Sequence, residues 1–224
     1  MIKAIVFDMD DTLYPEWKYV FSGFQAVNDY LEKKSVFGFY ETAIQLFERG
    51  KRGKIFNDTL DILKVTYRKE DIQQLIEIYR NHNPAIQLFT DAQEVLEQLH
   101  KKIPLGLISD GYLDAQRNKV KALKINQFFK KIILTDELGR DKWKPSPESY
   151  QLMRQYFNVQ HKELVYVGDN TSKDFVTANK LGWTTIQIIR DSGEYKNGDI
   201  SPEFEAQLKI NSLIEIIDII NIKI

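Results

Sequence analysis

Five short apolar runs, most of them separated by segments with helical periodicity, constrain what this chain can fold into. The apolar runs cover residues 2–7, 104–108, 131–134, 164–167 and 184–189. The helical patterns cover residues 93–100, 113–123, 147–157 and 171–181. Parallel strands need long crossover connections, usually helices, so the alternation predicts a doubly wound α/β fold with a parallel sheet. In such a sheet, functional residues are expected at the carboxyl ends of the strands.

The alternation stops between Thr12 and Leu88, where helical patterns follow one another without apolar strands. These patterns cover residues 19–33, 39–48, 55–67 and 69–81. Pro15 and Pro84 mark the two ends, and proline disfavours the continuation of regular structure. The sequence therefore predicts an all-helical domain at residues 15–84, inserted into a core made of residues 1–14 and 85–224.

Composition limits which partners the protein is expected to bind and which cellular compartment it is expected to occupy. The formal net charge of −1 gives little electrostatic support for binding nucleic acid, which favours a small substrate. The chain has no cysteine, so thiolate nucleophiles and disulfides are excluded and a reducing cytoplasm is expected. No secretion leader is visible, and the apolar stretch 213–222 is too short to span a bilayer. We therefore expect a cytoplasmic protein without a membrane partner, and a monomer or a homodimer.

Acidic residues crowd the end of the first apolar run. Asp8, Asp10 and Asp11 directly follow Ile5-Val6-Phe7, so they lie where a buried strand opens into a loop. Carboxylates at close range repel one another, and in a partly dehydrated crevice they bind protons or a cation. This cluster predicts a divalent metal.

Four polar signals fall after the predicted strands and would converge on one crevice. They are Asp8-Met9-Asp10-Asp11-Thr12, Ser109-Asp110-Gly111, Lys144-Pro145, and Gly168-Asp169-Asn170 with Asp174. Together they supply a carboxylate nucleophile, a second carboxylate for proton transfer, a hydroxyl and a lysine for phosphate oxygens, and acids for magnesium. This set of residue types is typical of phosphoryl transfer.

In these four motifs, in their order along the chain, the sequence resembles the haloacid dehalogenase-like (HAD) hydrolase superfamily, specifically its phosphatases with a helical cap between the first and second motifs. The resemblance extends to the segment after Ser109, where Gln116 and Lys119 match residues found in many members. It implies a Rossmann-like core with an inserted helical cap that opens to admit substrate and closes to exclude water.

The resemblance also implies the catalytic roles. Asp8 would attack phosphorus and become an aspartyl phosphate, and Asp10 would protonate the leaving oxygen and then activate water. Residues two apart at a strand end can point towards one reaction centre from opposite sides. The dehalogenases of the superfamily lack the second aspartate and need no metal, so Asp10 favours phosphate chemistry.

The remaining implied roles concern the metal and the phosphoryl group. Mg²⁺ prefers six oxygen ligands and keeps some water, and Asp8, Asp10 through its backbone carbonyl, and Asp169 would supply the protein ligands. Asp174 would orient this set from outside. The residues that the resemblance implies to bind phosphate are Thr12, Ser109, Asp110, Gly111 and Lys144.

Several alternatives stay open from the sequence. Lys142 competes with Lys144 for the lysine role, and Ser109 could cap the helix after Gly111. The aspartyl phosphate could be passed to a sugar hydroxyl, which would make the protein a phosphotransferase or mutase. A receiver-like signalling module and a non-catalytic binding protein are weaker alternatives. The motifs do not name the substrate.

Overall fold

The protein divides into two compact units. A computed structural model describes residues 1–191 and 201–223. The first unit consists of Met1–Glu16 and Gln87–Ile224, and the second consists of Trp17–Ile86. The second unit is thus an insertion between two parts of the first.

The first unit is built on a six-stranded parallel sheet. Its strands are β1 (Ala4–Phe7), β2 (Leu105–Ser109), β3 (Lys131–Leu134), β4 (Leu164–Gly168), β5 (Thr184–Ile188) and β6 (Leu208–Ile210). Their order in the sheet is β3-β2-β1-β4-β5-β6, and every adjacent pair is parallel. The chain reverses its direction of winding on either side of β1, and a crevice forms at the carboxyl ends of strands where the order switches in this way. The predicted α/β fold class is confirmed.

Helices connect these strands and flank the sheet. They are α5 (Thr90–Leu99), α6 (Leu113–Ala122), α7 (Glu148–Phe157), α8 (Phe175–Leu181) and α9 (Glu215–Lys223), with labels α1–α4 kept for the second unit. Tyr150 and Met153 of α7 and Phe175 of α8 belong to one buried cluster with Val6 and Tyr166. Strands β1, β2 and β4 are buried along their whole length. This explains why they read as continuous apolar runs rather than as alternating ones.

Three local features differ from the predicted elements. The helix predicted at residues 55–67 ends at Ile62, because Lys64 has a left-handed backbone with φ 56°. Helix α8 begins at Phe175 rather than at residue 171, because residues 170–174 form a turn in which Asp174 N–H donates to the Asn170 carbonyl at 2.9 Å. Strand β6 was not predicted; it is a three-residue strand at the sheet edge.

The second unit is helical. Helix α1 (Glu16–Glu32) leads into it, and α2 (Phe39–Glu48), α3 (Ile55–Ile62) and α4 (Lys69–Asn81) follow. Its core is a buried cluster that includes Phe24, Phe39, Phe56, Leu60 and Leu75. Amphipathic helices of this kind are stable because they share one apolar core.

The aromatic side chains near the start of this insertion and its basic segment lie in different environments. Phe24 is buried among its aromatic neighbours, whereas Trp17 is 38% exposed and contacts Phe21 edge to face. The basic segment 51–54 lies on the surface, where Lys51 pairs with Asp58 at 3.2 Å. Among residues 1–191 and 201–223, no helix combines the length and the hydropathy needed to cross a bilayer.

Candidate active site

The carboxyl edge of the sheet brings the predicted site residues together. Asp8 follows β1, Ser109 ends β2, and Asp169 follows β4. Because these three strands are adjacent and parallel, their ends open at the same edge. Each of the three side chains is buried.

Lys144 joins the first and fourth motifs. Its ammonium donates to Asp8 Oδ1, to Asp174 Oδ1 at 2.8 Å and to the Tyr166 hydroxyl at 3.0 Å. Its side chain is fully buried. Lys142 instead lies at the surface, where it pairs with Glu148 at 2.7 Å. The structure therefore brings Lys144, and not Lys142, to the acidic cluster.

Three carboxylates lie close enough to share one cation. Oxygens of Asp8, Asp169 and Asp174 all lie within 4.8 Å of one another. Burial raises the pKa of Asp8 to about 7, although the Lys144 charge partly offsets this. Burial, together with the charges of Asp174 and Asp8, also raises the pKa of Asp169 well above its usual range. Without further positive charge, this cluster resists full ionisation.

Asp174 is held in place by its surroundings. Its Oδ1 accepts from Lys144, and its Oδ2 accepts from the Asn170 backbone N–H at 3.0 Å. A Cβ at Gly168 would lie 2.5 Å from Oδ2 of Asp174, so this close approach requires glycine. Asp174 is thus oriented by Lys144 of the third motif and by the backbone of its own motif.

Asp10 is held by three side-chain donors. Lys119 Nζ lies 2.7 Å from Oδ1, Gln116 Nε2 lies 3.2 Å from Oδ2, and the Tyr14 hydroxyl also donates to Oδ1. Burial opposes the negative charge, but Lys119 and the hydrogen bonds outweigh it and lower the pKa of Asp10. The pKa values of the two acids of the first motif are therefore shifted in opposite directions, so that without a bound cation Asp8 favours its protonated form and Asp10 its ionised form.

Two buried hydroxyls at this edge lack protein partners. Thr12 Oγ1 and Ser109 Oγ form no hydrogen bond to any residue in the described part of the chain. A buried hydroxyl without a partner is costly, so such atoms point to a ligand. Ser109 therefore does not cap α6, whose N-cap position is Tyr112 and has no side-chain cap. Gly111 follows with φ 134°, a conformation that favours glycine.

Asp110 connects three parts of the edge. Its Oδ1 accepts from the Thr135 hydroxyl at 2.7 Å and from the Lys144 backbone N–H at 3.0 Å. Its Oδ2 lies 3.2 Å from Lys173 Nζ. Burial would raise the pKa of Asp110, but Lys144 and Lys173 more than offset it and the pKa is lowered. This side chain therefore ties the second motif to the third and fourth.

Sequence reasoning missed Tyr166, which contacts Lys144, and three further residues that touch this region. Thr135 and Lys173 contact Asp110, and Arg190 donates to the Thr12 backbone carbonyl at 2.9 Å. Thr135 and Arg190 directly follow predicted strands, and Lys173 lies between two predicted site acids. For Thr135 and Arg190 the position at a strand end was the available signal, because strand ends converge at the crevice.

The match to a family model covers most of the chain. Residues 5–188 match the model of the haloacid dehalogenase-like hydrolases. A glyceraldehyde 3-phosphate phosphatase from Methanocaldococcus jannaschii is 31% identical, over 98% of this chain and 97% of the relative. The chain belongs to the haloacid dehalogenase-like hydrolase family. The predicted family is confirmed, and HAD relatives of this kind support the predicted phosphoric monoester hydrolase activity.

Solved HAD structures share the fold. A putative β-phosphoglucomutase from Thermotoga maritima superposes with a TM-score of 0.73 at 18% identity, covering 100% of both chains. A putative HAD hydrolase from Bacillus subtilis, solved with bound magnesium, has a TM-score of 0.69 at 17% identity, covering 98% of this chain and 99% of the other. At these identities the two structures establish the fold of this HAD protein and not its substrate.

Proposed function

We propose that this HAD protein is a Mg²⁺-dependent phosphatase that hydrolyses a small phosphomonoester through an aspartyl phosphate on Asp8. The observation that carries the proposal is that oxygens of Asp8, Asp169 and Asp174 lie within 4.8 Å of one another, with the buried Lys144 ammonium paired to two of these acids. Such a site suits an incoming phosphoryl group, because positioning and electrostatic stabilisation dominate phosphoryl transfer.

The acidic cluster fits Mg²⁺ by its chemistry. Its donors are carboxylate oxygens, which Mg²⁺ prefers, and the raised pKa values of Asp8 and Asp169 express a shortage of positive charge. Asp8, Asp169 and the backbone carbonyl of Asp10 would hold the ion, and Asp174 would orient them. When bound, the ion would neutralise charge on the acids and on the phosphoryl oxygens.

The phosphoryl group would be held by residues of three motifs. Thr12 and Ser109 offer their buried hydroxyls, and the backbone N–H groups of Asp110 and Gly111 would add donors. Lys144 would neutralise charge on both Asp8 and the phosphoryl group. These donors need no reorganisation, since the strand ends already hold them in place.

Asp8 and Asp10 would divide the covalent and proton-transfer steps. A carboxylate oxygen of Asp8 attacks phosphorus, the bond from phosphorus to the ester oxygen breaks, and Asp10 gives that oxygen a proton. Asp10 is ionised in the free protein, so it takes up this proton from solvent when the negative phosphoryl group arrives and raises the pKa of Asp10. Asp10 then removes a proton from water, which attacks phosphorus and releases phosphate and the Asp8 carboxylate.

The inserted domain, residues 15–84, is assigned the role of a cap that selects substrate by closing. This assignment rests on the resemblance to capped HAD members, whose lids exclude water. The net charge of −1 and the cysteine-free sequence support a small cytoplasmic substrate rather than nucleic acid or a membrane. Since a relative 31% identical acts on glyceraldehyde 3-phosphate, this compound is the first substrate to test.

The direct test is phosphate release from an aryl phosphate and from glyceraldehyde 3-phosphate, with Mg²⁺ and then with EDTA. We expect EDTA to abolish release and Asp8→Asn to lower kcat by at least about 10³-fold. Asp141→Asn is the matched control, because this acid is exposed and pairs with Lys142 at the surface. Wild-type turnover by Asp8→Asn would contradict the nucleophile, and labelled phosphate appearing on an added sugar would favour the mutase alternative.

A metal readout independent of activity completes the test. Mg²⁺ should raise the Tm of the wild type because it binds the folded state, and it should do so much less for Asp169→Asn. Equal Tm shifts in both proteins would remove Asp169 from the metal site.

A further inference from the structure

Lys173 is a second lysine at the carboxyl edge of the sheet, and it differs from Lys144 in its access to solvent. Its Nζ lies 3.2 Å from Asp110 Oδ2, and its side chain is 31% exposed. The Lys144 side chain is fully buried between Asp8 and Asp174. Lys173 therefore presents its charge on the open side of the site.

Asp110 holds the Lys173 ammonium in a defined place. One oxygen of Asp110 is fixed by the Thr135 hydroxyl and the Lys144 backbone N–H, and the other faces Lys173. The Asp110 side chain is only 4% exposed. An ammonium has three N–H donors, so a contact with Asp110 does not use its full capacity.

The Lys173 charge acts on Asp8, the proposed nucleophile. It is one of the charges that lower the pKa of Asp8 against the effect of burial, which places it in the electrostatic surroundings of that carboxylate. The hydroxyls of Thr12 and Ser109, at the same edge of the sheet, lack partners in the described residues, which marks this edge as a ligand site.

The charges already at this edge oppose the binding of an anion. The Lys144 ammonium already faces two carboxylates, and Lys119 is paired with Asp10. A phosphomonoester brings up to two further negative charges to this edge. The proposed Mg²⁺ would offset part of the repulsion from the acids, and a further cation beside the phosphoryl group would offset more of it.

We infer that Lys173 binds the phosphoryl group of a phosphomonoester dianion from the solvent side of the site, with Asp110 positioning its ammonium. The inference rests on the proposed phosphatase function and adds a phosphate-binding residue to it. Lys144 neutralises the buried side of the phosphoryl group, and Lys173 neutralises the exposed side.

The competing explanation is that Lys173 only neutralises the buried Asp110 carboxylate. Removing one partner of a buried pair leaves an uncompensated charge, so Lys173→Met alone would weaken phosphate binding under either explanation. The double variant Asp110→Asn/Lys173→Met separates them, because it removes both charges. An asparagine oxygen can still accept from Thr135 and from the Lys144 backbone N–H.

The experiment measures the Kd of inorganic phosphate by calorimetry in Mg²⁺, and KM and kcat for an aryl phosphate. We expect Lys173→Met to raise the Kd at least about tenfold and KM more than it lowers kcat, and the double variant to stay at least about fivefold weaker than wild type. Lys173→Arg keeps the charge and should remain within about threefold of the wild-type Kd. Lys180→Met is the matched control, since that side chain is 65% exposed and pairs with Glu203.

Recovery of wild-type phosphate affinity in the double variant would overturn the inference in favour of the neutralising role. An unchanged Kd in Lys173→Met would also overturn it, while leaving phosphate release intact. A wild type that neither binds nor releases phosphate would instead overturn the proposed function together with this inference. Thermal unfolding of each variant shows whether a change in Kd reflects the site or the fold.

Discussion

The Lys119 ammonium lies 2.7 Å from Oδ1 of Asp10, and the Lys119 side chain is almost completely buried. This contact joins helix α6 to the loop after β1 across more than a hundred residues of sequence. The pair sets the protonation state of the acid that we propose transfers protons. The effect of this ion pair can be measured from the pH dependence of activity.

Lys119→Met should move the basic limb of the pH profile of kcat/KM to higher pH. Burial raises the pKa of Asp10 and Lys119 lowers it, so removing Lys119 lets the pKa rise. Since kcat/KM reports ionisations of the free enzyme, and Asp10 gives up a proton in the step that forms the aspartyl phosphate, the limb that requires protonated Asp10 shifts upward. Lys121→Met, at an exposed position of the same helix, should leave the profile in place. An unshifted limb in Lys119→Met would show that this limb does not report Asp10.

Asp8→Asn should be more stable than the wild type in EDTA at pH 8, but not at pH 4. The folded pKa of Asp8 is raised from 3.8 to about 7, so the native state keeps a proton that the unfolded state has lost in this window. Wild-type stability therefore falls as pH rises from about 4 to about 7, by at most about 4 kcal/mol for this group. Urea unfolding at several pH values measures the difference. A gap that does not change with pH would contradict the raised pKa.

Gly168→Ala should lower kcat/KM by about 100-fold and destabilise the fold by about 1–3 kcal/mol. The added methyl group would lie 2.5 Å from Asp174 Oδ2, and both Asp174 and the loop after β4 would have to move. A displacement of about 1 Å in a supporting residue is enough for such a loss of rate. Steady-state kinetics and urea unfolding test the two effects, and wild-type values of both would show that the loop absorbs the methyl group.

Asp91→Asn should lower stability at pH 7 by about 2 kcal/mol, and the deficit should shrink below pH 4. Asp91 Oδ2 lies 2.8 Å from Arg190 Nη1 and accepts from the Leu213 backbone N–H at 2.8 Å. Although burial opposes the charge, these partners lower the pKa of Asp91. A carboxyl group whose pKa is lower in the folded state than in the unfolded state stabilises the fold at pH values above its unfolded pKa. This stabilisation is lost as the pH falls through the folded pKa.

The pair formed by Asp91 and Arg190 also contacts the first motif. Arg190 also donates to the Thr12 carbonyl and covers the Phe89 ring, with Cζ 4.0 Å from its centroid. Glu94→Gln is the control for Asp91→Asn, because Glu94 is exposed on the same helix. If both variants lost equal stability at pH 7, the contribution of the Arg190 pair would be excluded.

The sequence by itself determined the sheet and the place of the site. Buried parallel strands must be apolar on both faces, so β1, β2 and β4 are visible as apolar runs. The polar residues that follow them, Asp8 and Asp169 among them, are then placed at one edge, because parallel strands share their carboxyl ends. The spacing of apolar residues and the positions of proline and glycine are local properties of the sequence, so a local pattern is enough to identify the elements.

Only the tertiary structure decided which charges meet. Lys173 with Asp110 and Arg190 with Asp91 are pairs between residues far apart in sequence, and no local period encodes them. The same limit applies to β6, whose three residues become a strand only because β5 offers a free edge. Burial and the distances between charges arise when the chain is folded, and these quantities set the opposite pKa shifts of Asp8 and Asp10.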